Sequence, residues 1–165
     1  MLPMLWIRGL LFTLLVPCVV AGLAPYLIGG AKPLQPGFWR LGWIPVCLGA
    51  AISVSCLLNF LAAHGTPAPF FTRRLRGIIG EEPAGLVRAG LYGFSRNPMY
   101  VGALVAIFGQ ALLFASPRIA LYGLACWLFM HLAVVCIEEP HLRAKQGQAF
   151  EDYCRRVPRW LGLPR

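Results

Sequence analysis

Apolar residues in this chain do not alternate with polar ones at the short periods of a water-soluble domain; they come in long unbroken runs. Residues 9–31, 41–63, 98–116 and 119–137 contain no Asp, Glu, Lys or Arg. Each run is close to the about 20 residues that a helix needs to cross a hydrocarbon core of about 30 Å. The first run also resembles a secretory leader, because Arg8 precedes it and Gly22, Leu23 and Ala24 form a small-residue site. Pro25, directly after that site, favours a span instead. The third and fourth runs are separated only by a short turn containing Pro117, which predicts a tight helical hairpin.

Two polar stretches complete the pattern, a loop over 64–97 and a tail over 138–165. In the loop, Pro67 and Pro69 favour an extended exit from the membrane, and the glycine-rich stretch from Gly85 to Gly93 suggests a compact turn feeding the next helix. In the tail, Leu142, Ala149, Phe150, Tyr153 and Val157 share one face of a helix that ends at Pro158, with charged residues around the rest. Pro140 disfavours a helical Glu139 and predicts a bend that folds this helix back onto the membrane surface. The expected architecture is one all-α integral-membrane domain, residues 1–165, with four transmembrane helices and a C-terminal amphipathic interfacial helix.

Composition agrees. Of 165 residues, 58% are hydrophobic and 13% charged, too little polar surface for a soluble globule of this size. The net charge of +9 first suggests nucleic acid, but its distribution explains it otherwise. With the N-terminus cytoplasmic, twelve basic residues fall on that side, and only Lys32, Arg40 and Arg118 on the other. This asymmetry orients a multi-pass protein with both termini in the cytoplasm and predicts contact with anionic membrane lipids; no nucleic-acid partner is needed. Of six cysteines, five lie in the spans and none forms a CxxC, so they read as packing residues, with no metal site expected. Cys154 lies in the tail on the reducing side, where a structural disulfide is unexpected.

Two polar features resist explanation as helix boundaries. Glu138 and Glu139 end the fourth span, where the helix macrodipole disfavours carboxylates, so something positive must offset them. Arg96 stands just before Pro98 at the opposite, positive pole of the third span, where an arginine suits an anion site. The hairpin brings both features to one membrane face, which makes a joint site the better reading.

These residues carry a resemblance. Gly90-Leu91-Tyr92-Gly93-Phe94-Ser95-Arg96-Asn97-Pro98-Met99-Tyr100-Val101-Gly102, then Glu138-Glu139-Pro140-His141-Leu142, then Gly147 to Arg159 with its spaced aromatics and Val157-Pro158-Arg159, resemble the isoprenylcysteine carboxyl methyltransferase and phospholipid methyltransferase family. The resemblance covers about the C-terminal half of the chain. It implies a membrane enzyme that moves a methyl group from S-adenosylmethionine to a lipophilic acceptor, an isoprenylcysteine-like carboxylate or a phospholipid-like amine. It further implies a cofactor enclosed at the cytoplasmic face by the last two spans and the tail.

On that resemblance, Arg96 pairs with the cofactor carboxylate and Asn97 bonds its polar parts. Pro98 and Gly102 shape the backbone, and Tyr100 and Tyr153 pack on the adenine or sulfonium. Glu138 and Glu139 serve its ammonium or ribose. Glu139 and Arg159 are the catalytic candidates, orienting the substrate or holding a carboxylate. The chain departs from the family pattern where Asn97 replaces histidine, which removes an ionisable imidazole, and where Phe150 replaces tyrosine. His131, inside the fourth span, either faces the cavity or bonds a neighbouring helix; His64 and His141 read as interfacial. Two other functions fit the same features: an NADPH-dependent membrane reductase of a sterol-like substrate, for which four spans are few, and a non-enzymatic scaffold. Gly102, Ala106 and Gly109 allow close helix packing, either within one chain or between copies.

Overall fold

A computed structural model of the chain describes residues 7, 17–29, 37–65, 83 and 85–162. The expectations for residues 9–16, 30–36, 66–82 and 163–165, which include the extended exit at Pro67 and Pro69 and the placement of Lys32, lie outside the described residues. All regular structure among the described residues is helical. A π-helical turn, Val19–Leu23, leads into α1, Ala24–Gly29; a 3-10 turn, Gly37–Gly42, leads into α2, Trp43–Ala62. After a second 3-10 turn, Gly90–Gly93, come α3, Pro98–Leu113, and α4, Pro117–Ala133. A π-helical turn, Val134–Glu138, joins α4 to α5, Glu139–Gln146, and α6, Gln148–Arg156, ends the helical part.

Among the described residues, two helices are long and apolar enough to span a membrane, Arg40–Ala62 and Pro117–Gln146. Val19–Gly29 and Pro98–Leu113 are apolar but shorter. Along α4, Leu121, Leu124, Leu128 and Leu132 remain more than half exposed, an outward apolar stripe that lipid accommodates and water does not.

The hairpin forms where Pro117 predicts it. Ser116 caps α4 by accepting a bond from the Ile119 N–H at 3.5 Å, and Pro117 takes a first-turn position where its missing N–H costs nothing. The small residues settle within the chain. Antiparallel α2 and α3 meet at Gly49 against Gly102, and Gly42, just before α2, meets Gly109. A Cβ on Gly102 would sit 2.8 Å from Ile52 Cγ2 and 2.9 Å from the Gly49 carbonyl oxygen. Only hydrogen permits this approach.

Three expectations for the tail are corrected. The helix does not bend at Pro140, since Glu139 keeps helical angles and the helix continues to Gln146. The π turn explains this. The Glu139 N–H bonds the Val134 carbonyl across five residues, and the altered register absorbs the N–H that Pro140 lacks. It follows that Glu138 and Glu139 do not stand at a helix C-terminus. The amphipathic stretch is also not one helix but two, broken at Gly147, whose φ of 52° suits glycine alone. Finally, the apolar face of α6 packs on protein. Phe150, Tyr153 and Val157 form a buried cluster with Leu86, Leu142 and Cys154.

Candidate functional site

The start of α3, the π turn after α4 and the segment after α6 converge at one end of the helical bundle. Pro158 and Arg159 run beside Ser95–Asn97: the Arg96 N–H donates to the Pro158 carbonyl at 3.0 Å, and Asn97 Nδ2 donates to the Arg159 carbonyl at 2.9 Å. A further anchor lies beside α4. Trp160 Nε1 donates to His131 Nδ1 at 3.2 Å, and the imidazole stacks between Trp127 and Trp160. Of the two readings of His131, bonding to a neighbouring segment is the one the structure shows.

The consecutive glutamates serve different partners. Glu139 is 4% exposed and faces three guanidinium groups. Arg159 binds it through two bonds, Nε to Oε1 at 2.7 Å and Nη2 to Oε2 at 3.0 Å; Arg96 Nη1 is 3.0 Å from Oε1, and Arg143 Nη2 is 3.3 Å from Oε2. This is the positive offset that the sequence demanded. Arg143 was missed as a partner, although its position four residues after Glu139 signals an ion pair on one helix face. Glu138 points the other way and accepts a short hydrogen bond from the Tyr100 hydroxyl.

Glu138 borders a cavity of about 550 Å³, in the roughly 300–1,000 Å³ range of small-molecule sites. Arg96, Asn97, Tyr100 and Tyr153 also line it, so five of the sequence-derived candidates face one space. The other four, Pro98, Gly102, Glu139 and Arg159, do not line it. Pro98 is the buried first residue of α3, and Gly102 packs on α2. Tyr153 presents its ring while its hydroxyl donates to the Tyr92 carbonyl at 2.7 Å; burial raises its pKa, against the lowering pull of Arg96 and Arg88. The hydrogen bond to Glu139 raises the pKa of Arg159 and fixes its charge. Cys154 Sγ accepts from Arg96 Nη1 at 2.7 Å, and burial outweighs that cation in raising the thiol pKa. Arg96 Nε is buried and has no hydrogen-bond partner. Among the described residues, no group of three or more His, Cys, Asp or Glu side chains is placed to hold a metal ion.

The family model described as phospholipid methyltransferase matches residues 40–149. The chain belongs to this phospholipid methyltransferase family. Arg96, Glu138 and Glu139 fall inside the matched residues; Tyr153 and Arg159 follow them. Two curated relatives align over about half of the chain. The nickel-cobalt-cadmium resistance protein NccN of Alcaligenes xylosoxydans xylosoxydans is 33% identical over 49% of this chain, and the protein-S-isoprenylcysteine O-methyltransferase of Schizosaccharomyces pombe is 31% identical over 48%. The matches span 38% and 33% of those relatives' own lengths. No solved structure matches the chain. Family membership and the apolar helices together make this a membrane-associated, methyltransferase-family protein.

Proposed function

We infer that the chain transfers a methyl group from S-adenosylmethionine to a lipid-like acceptor at the cytoplasmic membrane face. The observation that carries the reading is the cavity itself, in which a guanidinium, a carboxylate, an amide and aromatic rings converge, with His141, Lys145 and Gln146 on the same side and an apolar α4 wall leading away. That donor set fits the cofactor. Its carboxylate requires a cation, which Arg96 supplies from the cavity wall. Its ammonium or ribose hydroxyls require an acceptor, which Glu138 supplies with Tyr100 holding its orientation. Asn97 and Tyr153 offer an amide and an aromatic face.

When bound, the cofactor supplies an electrophilic methyl carbon on a positively charged sulfur. The protein's part is to align donor and acceptor and keep water out. Glu139 and Arg159, which do not line the cavity, act in this reading by position. Glu139 fixes the Arg96 guanidinium beside the cavity, and Arg159 fixes Glu139 and carries the segment that packs on Asn97. Consecutive side chains on a helix point about 100° apart, so Glu138 faces the cavity while the buried Glu139 faces the arginines, at a π turn of the kind common at functional sites.

The test is equilibrium binding of S-adenosylmethionine and, separately, NADPH to the protein in lipid nanodiscs. Saturable S-adenosylmethionine binding that Arg96→Ala weakens at least about ten-fold is expected, the loss of one charge-assisted hydrogen bond. Binding of NADPH alone would place the protein with membrane reductases, and binding of neither would leave the scaffold.

A further inference from the structure

The charged and amide residues of the cavity, His141, Lys145 and Gln146 among them, lie at one end. Arg96, Asn97, Tyr100 and Glu138 gather where α3 begins and the π turn ends, whereas the α4 wall away from them is Ala125, Cys126, Phe129 and Met130. The last side chain that α4 contributes in that direction is Tyr122. At about 1.5 Å per residue, it lies about 24 Å along the helix from Glu138.

Tyr122 is held in place by a defect in the N-terminal helix. The Ala24 N–H closes the π turn on the Val19 carbonyl, so the next donor in that register, facing the Val20 carbonyl, falls on Pro25, which has no N–H. A carbonyl left unpaired in apolar surroundings is costly. The Tyr122 hydroxyl satisfies it at 2.9 Å, and Gln110 Nε2 reaches the neighbouring Ala21 carbonyl. Val20 and Pro17 line the cavity as well, so the Tyr122–Val20 bond ties two of its walls together at the apolar end.

We propose that Tyr122 is the stop for the hydrocarbon chain of the acceptor and sets its preferred length. The reactive head of the acceptor lies beside Glu138 and Tyr100, its chain runs along the α4 wall, and the chain tip meets the Tyr122 ring. This assignment rests on the methyl-transfer reading above. Each methylene accommodated before the stop improves affinity about four-fold, and each one beyond it gains nothing or clashes. The ring sets the length and the hydroxyl fixes the ring.

The experiment is equilibrium binding of N-acetyl-S-alkylcysteines and of lysophosphatidylethanolamines of graded chain length to the full chain in nanodiscs, with S-adenosylmethionine binding measured on the same preparations. The wild type shows an optimum length with at least one head group. Tyr122→Ala moves it to longer chains, changing the long-to-short affinity ratio about fifteen-fold for two further methylenes. Tyr122→Trp moves it to shorter chains, and Tyr122→Phe, which keeps the ring but frees it from the Val20 carbonyl, keeps the optimum and broadens it. An optimum that is the same in the Ala and Trp variants, or affinity independent of chain length in the wild type, overturns the assignment. If S-adenosylmethionine binding persists in those cases, the methyl-transfer reading stands and the Tyr122 stop alone falls. A wild type that binds no S-adenosylmethionine removes the reading and the stop with it.

Discussion

Arg159 holds the carboxylate of Glu139 through two bonds, 2.7 Å and 3.0 Å long, and so ties the segment after α6 to the long apolar helix that ends at Gln146. Arg96 and Arg143 close on the same carboxylate. Glu139 thus faces three positive charges, of which Arg143 is shared with Glu151 at 2.9 Å. Removing the charge leaves Arg96 buried without its counter-ion, which costs about 3 kcal/mol where a buried pair is broken. Glu139→Gln is therefore expected to lower the midpoint of thermal unfolding in detergent markedly. An unchanged midpoint would show that the cluster is not holding the segment.

Glu138 is expected to behave differently from its neighbour. Its partner is the Tyr100 hydroxyl, and both side chains line the cavity. Glu138→Gln keeps the shape and loses the charge, so the fold should persist while S-adenosylmethionine affinity falls by about 10- to 100-fold, the range of one hydrogen bond to a charged group. Binding calorimetry on both glutamine variants separates the roles. Equal losses of affinity at equal stability would merge them.

Close packing of α2 on α3 makes Gly102 a structural residue rather than part of the cofactor contact. A methyl group there meets Ile52 Cγ2 and the Gly49 carbonyl oxygen at under 3.0 Å, and backbone does not give way cheaply. Gly102→Ala is expected to destabilise by about 1–3 kcal/mol through overpacking. Unfolding followed by tryptophan fluorescence reads this, and wild-type stability in the variant would contradict the packing.

Cys154 tests the burial of the cluster chemically. Burial raises its thiol pKa above the ordinary value of 9.0, and the pull of the Arg96 cation is too small to reverse this. The thiolate is the reacting form, so at pH 7.5 the thiol stays protonated and maleimide labelling should be slow. Labelling should accelerate only at alkaline pH, or at once when the chain is unfolded. Peptide-resolved mass spectrometry follows residue 154 alone, and fast labelling of the folded protein at neutral pH would place the thiol outside the cluster.

Much of this arrangement was legible before any coordinates, and the reasons differ by element. The charge-free runs identified the apolar helices because a bilayer demands length and composition, both of which are sequence properties. Arg96 and the two glutamates stood out because their charges oppose the helix poles they were assigned to. The continuation through Pro140 was not legible, since a π turn is a register shift that no hydrophobic period records. Nor was the division of labour between Glu138 and Glu139, which is set by what each meets in three dimensions, the cavity for one and the arginines for the other. The stacking of Trp160 on His131 joins residues 29 apart and carries no local pattern. Gly147, by contrast, was in plain view within an amphipathic stretch, and reading it as a helix stop would have divided α5 from α6.

The central claim, methyl transfer to a lipid-like acceptor, is tested most directly by incubating the protein in membranes with S-adenosylmethionine labelled at the methyl group and counting label in the extracted lipid fraction. The account predicts label in lipid with the wild type and at least about a ten-fold smaller rate with Glu138→Gln, following the weight of one charged hydrogen bond. Bound cofactor with no label passed to lipid, or transfer undiminished in the Glu138→Gln variant, would contradict it.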